Sequence, residues 1–314
     1  MRQARCGRRG VAPILAGLAA LVLLAACSQT PSPPARQRHA GGRALPVVMV
    51  HGHSVLARGN AAEWDATKRT LRAAHFTGPL IAACYYAFDR HCDVDISRFG
   101  NHRLVDPGSF PLTHLPSPRG TLAHTPRASI RHLAYHLAWY LYDTYTAHGQ
   151  AVNLDLHSMG GLVGRYMVEA VATRQAHFPR RLLLRNVVTL GTPYAGAREL
   201  VRGCDLVREP ECLEMTAGSS LLVTLARPTA RPLAGRWVAV GSAFDVDVAA
   251  QSAVAVRAPL RVIYSFEDNL PHSGYFSRGG PATFAARVSA NQGPWRLTTH
   301  EPSPLALAAE TLSR

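Results

Sequence analysis

The sequence has almost no lysine. Lys68 is its only lysine, so arginine supplies nearly all the positive charge behind the formal net charge of +14. Residues 46–314 contain no dense basic run and no nucleic-acid-binding motif, which argues against a nucleic acid as partner. We therefore interpret the charge as a solvated arginine-rich surface, with attraction to anionic lipid headgroups or an acidic substrate as the alternative.

The sequence also lacks a long uninterrupted apolar run. The most apolar stretch, residues 11–26, follows four arginines and is interrupted by Pro13. A membrane-spanning helix needs about 20 apolar residues, so this stretch fits a signal peptide better than a spanning helix. It ends in Leu24-Ala25-Ala26-Cys27, which resembles a bacterial lipobox. Residues 1–27 are thus predicted to be a lipoprotein-type signal peptide, with a plain secretory signal or an uncleaved anchor as alternatives.

Three segments follow from composition. Beyond the signal, residues 28–45 are rich in proline, serine, glycine and arginine and cannot form a core, which predicts a flexible tether. Residues 46–314 contain no internal repeat and are enough for one large domain with a sizeable core. The expected location is the bacterial cell envelope, where lipidated Cys27 would anchor the exported protein to a membrane. The expected oligomeric state is a monomer.

Cysteine is scarce in the domain. Of the six cysteines, Cys6 and Cys27 belong to the signal segment. The other four form two pairs eight residues apart, Cys84 with Cys92 and Cys204 with Cys212. In an exported protein this spacing favours two local disulfides, although four cysteines allow three connectivities. The spacing does not resemble a zinc site, and no metal is predicted.

Strand and helix patterns alternate along the domain. Apolar runs predict strands near 46–50, 79–88, 152–156, 181–190, 237–242 and 260–265. Helices are predicted over 61–75, from Thr125-Pro126 to Leu141, and at 281–290 and 303–313. This alternation predicts an α/β fold with a mostly parallel central sheet covered by helices on both faces. The irregular segments 89–124 and 194–235 are candidate lids or caps.

The segment 151–166 predicts a sharp strand-to-helix turn with a serine at its corner. A buried strand ends at Leu156, the sequence His157-Ser158-Met159-Gly160-Gly161 follows, and a helical pattern begins. This is the arrangement of a nucleophile elbow, in which the pattern G-x-S-x-G keeps the neighbours of the serine small. Leu156 departs from that pattern. The alternative is a serine that caps an ordinary core helix.

A second segment predicts an oxyanion loop. The strand at 47–50 leads into His51-Gly52-His53. Backbone N–H groups at such a turn can stabilise a developing negative charge, so the N–H groups of His53 and Met159 are the candidate donors.

Four stretches together resemble the bacterial lipase and esterase branch of the α/β-hydrolase family. They are VVMVHGHS (47–54), LHSMGG (156–161), VVTLGTPYAG (187–196) and MTAGSSLL (215–222). The resemblance implies an α/β-hydrolase fold and a carboxylic-ester hydrolase with a Ser-Asp-His triad and no cofactor. The implied substrate is an acyl ester or a lipid.

The strand count places the other two triad members. In this fold the acid follows the second strand after the elbow strand, and the histidine follows the third. These positions correspond to Asp245 and His272, in the chain order expected of a hydrolase. The alternative pair is Asp268 with His300.

Three further expectations complete the sequence-based prediction. His157 is interpreted as a packing residue of the elbow and Asp155 as a structural residue. The same triad could serve an acyltransferase or a thioesterase. A third alternative is a non-catalytic envelope protein that uses a hydrolase fold for binding.

Overall fold

The computed structural model describes most of the predicted domain. The described residues are 42–54, 56, 58–59, 61–100, 115–116, 122–123, 128–198, 209–227, 234–277 and 283–314. The predicted signal peptide, the lipidation candidate Cys27 and most of the predicted tether lie outside the described residues. The same holds for much of the two candidate cap segments.

A large sheet organises the described part of the chain. Its strands pair in the order β11-β10-β9-β8-β7-β6-β1-β2-β3, and β4 and β5 form a separate pair. Seven neighbouring strands, from β3 to β9 in that order, are parallel, and β10 and β11 extend the sheet in antiparallel fashion. The strands are β1 (Val47–Val50), β2 (Leu80–Cys84), β3 (Val94–Asp95), β4 (Leu115–Pro116), β5 (Leu122–Ala123), β6 (Val152–His157), β7 (Leu184–Leu190), β8 (Ala234–Ser242), β9 (Leu260–Tyr264), β10 (Thr283–Ala290) and β11 (Arg296–Pro302).

Helices cover both faces of this sheet. The helices are α1 (Asp65–Ala73), α2 (Ile130–Thr144), α3 (Met159–Ala172), α4 (Pro210–Glu214), α5 (Ser220–Leu225), α6 (Ala250–Ala253) and α7 (Pro304–Ser313). Residues of α2 and α3 pack with Val48 and Val50 on one face. Residues of α1 and α7 pack with Val47 and Met49 on the other. The central strands are therefore buried on both faces, which explains why β1 reads as an unbroken apolar run.

This arrangement confirms the predicted fold class, an α/β-hydrolase fold with a mostly parallel central sheet between two helical layers. Two element predictions need correction. Residues 281–290 were expected to be helical, but Thr283–Ala290 is strand β10, paired with β9 on one side and β11 on the other. Helix α2 begins at Ile130, later than the predicted Thr125-Pro126, because the Ser129 hydroxyl caps it by accepting the His132 N–H.

Among the described residues, no helix combines the length and the apolar character that crossing a bilayer requires.

Candidate functional site

Ser158 lies at a strained corner between β6 and α3. Its φ of +54° and ψ of −128° place a non-glycine residue in a conformation that side chains rarely adopt. The turn is tight because strand and helix approach each other closely. A Cβ added to Gly160 would lie 2.5 Å from the carbonyl oxygen of Val50, and one added to Gly161 would lie 1.8 Å from Thr192 Oγ1. Any side chain at residue 160 or 161 would thus collide with its neighbours, so both positions require glycine.

Leu156, the departure from the usual pattern, packs against the helix that follows the turn. A Cβ added to Gly164 would lie 2.3 Å from Leu156 Cδ1. The leucine is fully buried and occupies the space that a side chain at residue 164 would need. The chain therefore accommodates a large residue before the serine by placing a third glycine one turn into α3, and the strained corner is kept.

Ser158, His272 and Asp245 form a continuous chain of hydrogen bonds. His272 Nε2 lies 2.8 Å from Ser158 Oγ, and His272 Nδ1 lies 2.8 Å from Asp245 Oδ2. The three residues follow β6, β9 and β8, whose carboxyl ends meet at one edge of the sheet. A base that contacts the nucleophile while a carboxylate orients it is the arrangement that activates a serine.

The Asp245 carboxylate is held by several donors. Its Oδ1 accepts the N–H groups of Asp247, at 3.0 Å, and Val248, at 2.9 Å. Its Oδ2 accepts the Tyr275 hydroxyl at 3.1 Å as well as the His272 ring. The side chain is completely buried. These donors stabilise the negative charge and fix the carboxylate in one orientation.

His157, the residue before Ser158, contacts the backbone of His272. Its Nε2 lies 3.0 Å from the carbonyl oxygen of His272, so it carries the proton and donates. Burial lowers the pKa of His157 well below its usual value, and the nearby His272 ring lowers it further. The ring also packs edge-on against Phe276, with centroids 4.3 Å apart. His157 is thus a neutral, buried histidine whose contacts fit a packing residue and not a general base.

The predicted oxyanion loop lies against Ser158. A Cβ added to Gly52 would be 2.7 Å from Ser158 Cβ, so the loop backbone approaches the serine directly. Met159 opens α3, where the first N–H groups of a helix have no partner within the helix. The backbone at Gly52 thus lies next to Ser158, and Met159 follows Ser158 directly in the chain.

The loop is held by residues that sequence reasoning missed. The Tyr85 hydroxyl donates to the carbonyl oxygens of His51 and Gly52, at 2.9 and 2.8 Å. His51 Nε2 lies 3.0 Å from Asp89 Oδ2, and the Asp89 carboxylate also accepts the N–H groups of Tyr85 and Tyr86. The sequence does offer a signal for them. Tyr85 and Tyr86 directly follow β2, which pairs with β1, the strand that leads into the loop.

The His51–Asp89 pair is buried and coupled. Burial lowers the pKa of His51, but the hydrogen bond and charge of Asp89 outweigh this and raise it above its ordinary value. Burial raises the pKa of Asp89, but His51 and the backbone donors outweigh this and lower it. Both shifts favour an ion pair, which anchors the start of the loop.

The alternative pair is not brought to the serine. The Asp268 carboxylate accepts the Ser265 N–H at 3.2 Å and closes a local turn. His300 lies on β11, at the edge of the sheet, where it is exposed and contacts Thr299. Neither residue has a described contact with Ser158.

The cysteine pairs have different outcomes. Cys84 and Cys92 form a disulfide, as predicted. For the second predicted pair, Cys204 lies outside the described residues.

The described residues contain two groups of potential metal ligands that lie close together. In the first, the Cys84 sulfur is already part of the disulfide and cannot act as a thiolate beside His51 and Asp89. In the second, Asp245 and His272 are hydrogen-bonded to each other. In each group, two of the three side chains thus already contact each other.

No protein-family model and no curated protein matches the sequence. Solved structures are similar to the chain at low identity. The Listeria innocua lin2722 product is 14% identical, with a TM-score of 0.45, over 75% of this chain and 89% of that one. Aspergillus fumigatus lipase B is 13% identical, with a TM-score of 0.47, over 89% of this chain and 63% of that one. The propeptide form of Bacillus licheniformis lipase BlEst2 is 15% identical, with a TM-score of 0.39, over 86% of this chain and 48% of that one.

The chain therefore spans about half the length of the Bacillus lipase and under two thirds of the fungal one. At these identities and TM-scores the activities of those proteins do not transfer to this chain. A functional assignment has to rest on the geometry around Ser158.

Proposed function

We propose that the protein is a serine hydrolase that cleaves carboxylic esters through an acyl-enzyme. The observation that carries this proposal is the chain of 2.8 Å hydrogen bonds from Ser158 through His272 to Asp245, with the serine at a strained strand-to-helix corner. An N-capping serine of an ordinary helix would bond to its own helix, but Ser158 makes no side-chain cap bond. Its hydroxyl points to the imidazole instead.

In the proposed mechanism each group has a role. His272 Nε2 takes the proton of Ser158 Oγ as the oxygen attacks the ester carbonyl. Asp245 holds the imidazole and stabilises the imidazolium that forms. The backbone N–H groups of His53 and Met159 receive the developing oxyanion, each contributing about 3 kcal/mol. His272 then protonates the leaving alcohol, and water releases the acid from Ser158.

The proposed substrates are lipid-like or small acyl esters, and the proposed location is the membrane surface of the bacterial envelope, reached through lipidated Cys27. The lipobox-like end of the apolar segment supports the anchor. A series of p-nitrophenyl esters of increasing acyl length separates an esterase, which prefers short chains, from a lipase, which prefers long ones.

The decisive experiment compares wild type with single variants on a p-nitrophenyl ester. Ser158→Ala and His272→Ala should each lower kcat by at least about 10³-fold, because the triad acts as a unit. Asp245→Asn should also lower it strongly. Asp268→Asn and His300→Ala serve as matched controls and should keep kcat within about twofold.

Unchanged activity in Ser158→Ala would contradict the proposal. A fluorophosphonate probe gives a second measurement, since it should label wild type at Ser158 and leave Ser158→Ala unlabelled. A folded wild type that resists the probe would favour a binding protein with a hydrolase fold.

A further inference from the structure

A carboxylate from a distant part of the chain reaches the proposed oxyanion loop. Glu211 lies on α4 and is completely buried. Its Oε2 accepts the Tyr86 hydroxyl at 2.5 Å and lies 3.0 Å from His53 Nδ1. His53 is the loop residue whose backbone N–H is proposed to stabilise the oxyanion, so this contact connects α4 to the proposed reaction.

We propose that Glu211 is a positioning residue, which fixes the backbone of His53 in the oxyanion loop by holding the His53 side chain. This inference rests on the proposed function, because it assigns a role within the same site. Glu211 itself is not expected to touch the substrate. It acts through the imidazole of His53, with Tyr86 as the second donor.

The side chain of His53 is well suited to such a role. It is only 1% exposed and has two rotatable bonds, so a fixed Nδ1 leaves little freedom in the residue. On the other side of the ring, His53 Nε2 lies 3.9 Å from a carboxylate oxygen of Glu209. The His53 ring thus has Glu211 of α4 near one nitrogen and Glu209, the residue before α4, near the other. The Tyr86 hydroxyl also lies 3.4 Å from His53 Nδ1.

In the described structure, the other backbone contacts of residues 51–54 that involve side chains elsewhere are two to carbonyl groups and one long contact to an N–H group. Tyr85 binds the carbonyl oxygens of His51 and Gly52, and these contacts fix the start of the loop. At its end, the Ser54 N–H is 3.4 Å from the Tyr86 hydroxyl, which is a long contact. The described side-chain contacts that fix the middle of the loop are those of His53, and the shortest of them is to Glu211.

Burying a carboxylate is costly, which argues that the contact is more than incidental. Burial raises the pKa of Glu211 above its usual value, and the hydrogen bonds from His53 and Tyr86 offset only part of that rise. A buried carboxylate without partners would lose several kcal/mol of solvation, and the donors from His53 and Tyr86 offset part of this loss. Glu211 and the loop therefore fix each other.

The same helix offers a matched control. Glu214, one turn along α4, accepts the Ile130 N–H at 2.6 Å and lies 3.7 Å from Arg131 Nε. It fastens α4 to the start of α2 and contacts neither His53 nor Tyr86 in the described structure. A variant at Glu214 loosens α4 without removing the proposed contact to the loop.

The kinetic test compares Glu211→Ala, Glu211→Gln and Glu214→Ala on one p-nitrophenyl ester. Removal of one oxyanion donor lowers kcat by about 10²–10³-fold, so a misplaced donor should lower it by about tenfold or more. We expect this loss in Glu211→Ala with KM within about threefold. Glu211→Gln, whose amide oxygen can still accept from both donors, should regain at least half of the lost kcat. Glu214→Ala should keep kcat within about twofold, even at an equal loss of melting temperature.

A second measurement does not depend on esterase activity. Hydrogen exchange followed by mass spectrometry should show the peptide containing residues 51–54 exchanging about tenfold faster in Glu211→Ala than in Glu214→Ala. Equal exchange in the two variants, or a kcat loss no larger in Glu211→Ala than in Glu214→Ala, would overturn the inference. A wild type without activity on any ester, together with the faster exchange, would overturn the proposed function and leave the holding of the loop established.

Discussion

Leu156 stands two residues before the proposed nucleophile, where serine hydrolases of this pattern ordinarily have a small residue. The requirement itself comes from space, because strand, serine and helix crowd one another at the corner. Here the space is provided by Gly164, which faces the leucine from α3. The sequence pattern alone could not show this exchange, since the partner lies eight residues away and outside the usual motif.

The contact between Leu156 and Gly164 predicts a strong coupling between the two positions. Gly164→Ala should lower the free energy of unfolding by about 1–3 kcal/mol through overpacking. Leu156→Ala should lower it by about 2–5 kcal/mol through the cavity it leaves. In the double variant the alanine at 164 has room, so the combined loss should be smaller than the sum by about 1 kcal/mol or more. Urea denaturation of the four proteins measures this cycle, and losses that add within about 0.5 kcal/mol would contradict the proposed compensation.

Asp155 predicts a pH dependence of stability. It is fully buried on β6, and neither carboxylate oxygen has a hydrogen-bond partner in the part of the chain that the structure describes. Burial raises its pKa from 3.8 to about 7. The unfolded chain releases this proton near pH 4, whereas the folded protein keeps it until about pH 7. The unfolded state therefore binds fewer protons in this range, and stability falls as the pH rises.

Asp155→Asn should remove this loss. Between pH 5 and pH 8 the free energy of unfolding of wild type should fall by about 2–3 kcal/mol more than that of Asp155→Asn. Urea denaturation at the two pH values measures the difference, in which the contributions of other acids cancel. Parallel pH profiles for the two proteins would show that Asp155 does not carry the raised pKa.

At the scale of elements, the sequence predicted the strands that are buried on both faces and failed at the edge of the sheet. The parallel strands β1 and β6–β9 are apolar runs, and their burial makes them recognisable. Strand β10 contains Phe284, Ala285 and Ala286, and this alanine-rich composition favours a helix. Its pairing with β9 decides the structure instead, and such pairing is a tertiary effect that local propensity does not contain. The contact of His53 with Glu211 was unpredictable for the same reason.

The segment between β2 and β3 predicts a link between a disulfide and the proposed site. The Cys84–Cys92 bond closes the short loop that carries Tyr85, Tyr86 and Asp89, which contact the proposed oxyanion loop. A double variant with alanine at both cysteines should lose about 2–3 kcal/mol of stability, as expected for a loop of this size. Its kcat should fall several-fold, because the loop residues lose their fixed geometry.

A variant on helix α1, at a residue that contacts this segment, provides the control for this prediction. Lys68→Gln removes the solvent-exposed ion pair with Asp93, and such pairs contribute at most about 1 kcal/mol. Its stability and kcat should stay close to those of wild type. Thermal unfolding and the ester assay measure both variants, and a cysteine double variant as stable and active as Lys68→Gln would refute the link.

At the scale of the whole molecule, the residues of the proposed site lie at one edge of the sheet. His51, Ser158, Asp245 and His272 follow β1, β6, β8 and β9, which are all parallel, so their carboxyl ends open on the same side. This is the rule by which ligand sites form in open α/β sheets. It explains why the order of strands sufficed to place Asp245 and His272 next to Ser158, while the supporting tyrosines and Glu211 required the three-dimensional structure.

The chain as a whole is proposed to work at a membrane, and Cys27 decides whether it does. In a Gram-negative host the full-length chain should incorporate labelled palmitate and remain with the membranes after high-salt washing, which removes proteins bound only by their positive charge. Cys27→Ala should lose the label and leave the membrane fraction, or stay as an unprocessed precursor of higher mass. Cys6→Ala is the matched control, because it removes the other cysteine of the signal segment and should behave as wild type. A Cys27→Ala variant that is processed, unlabelled and still bound to membranes at high salt would show that the anchor is not the lipidated cysteine.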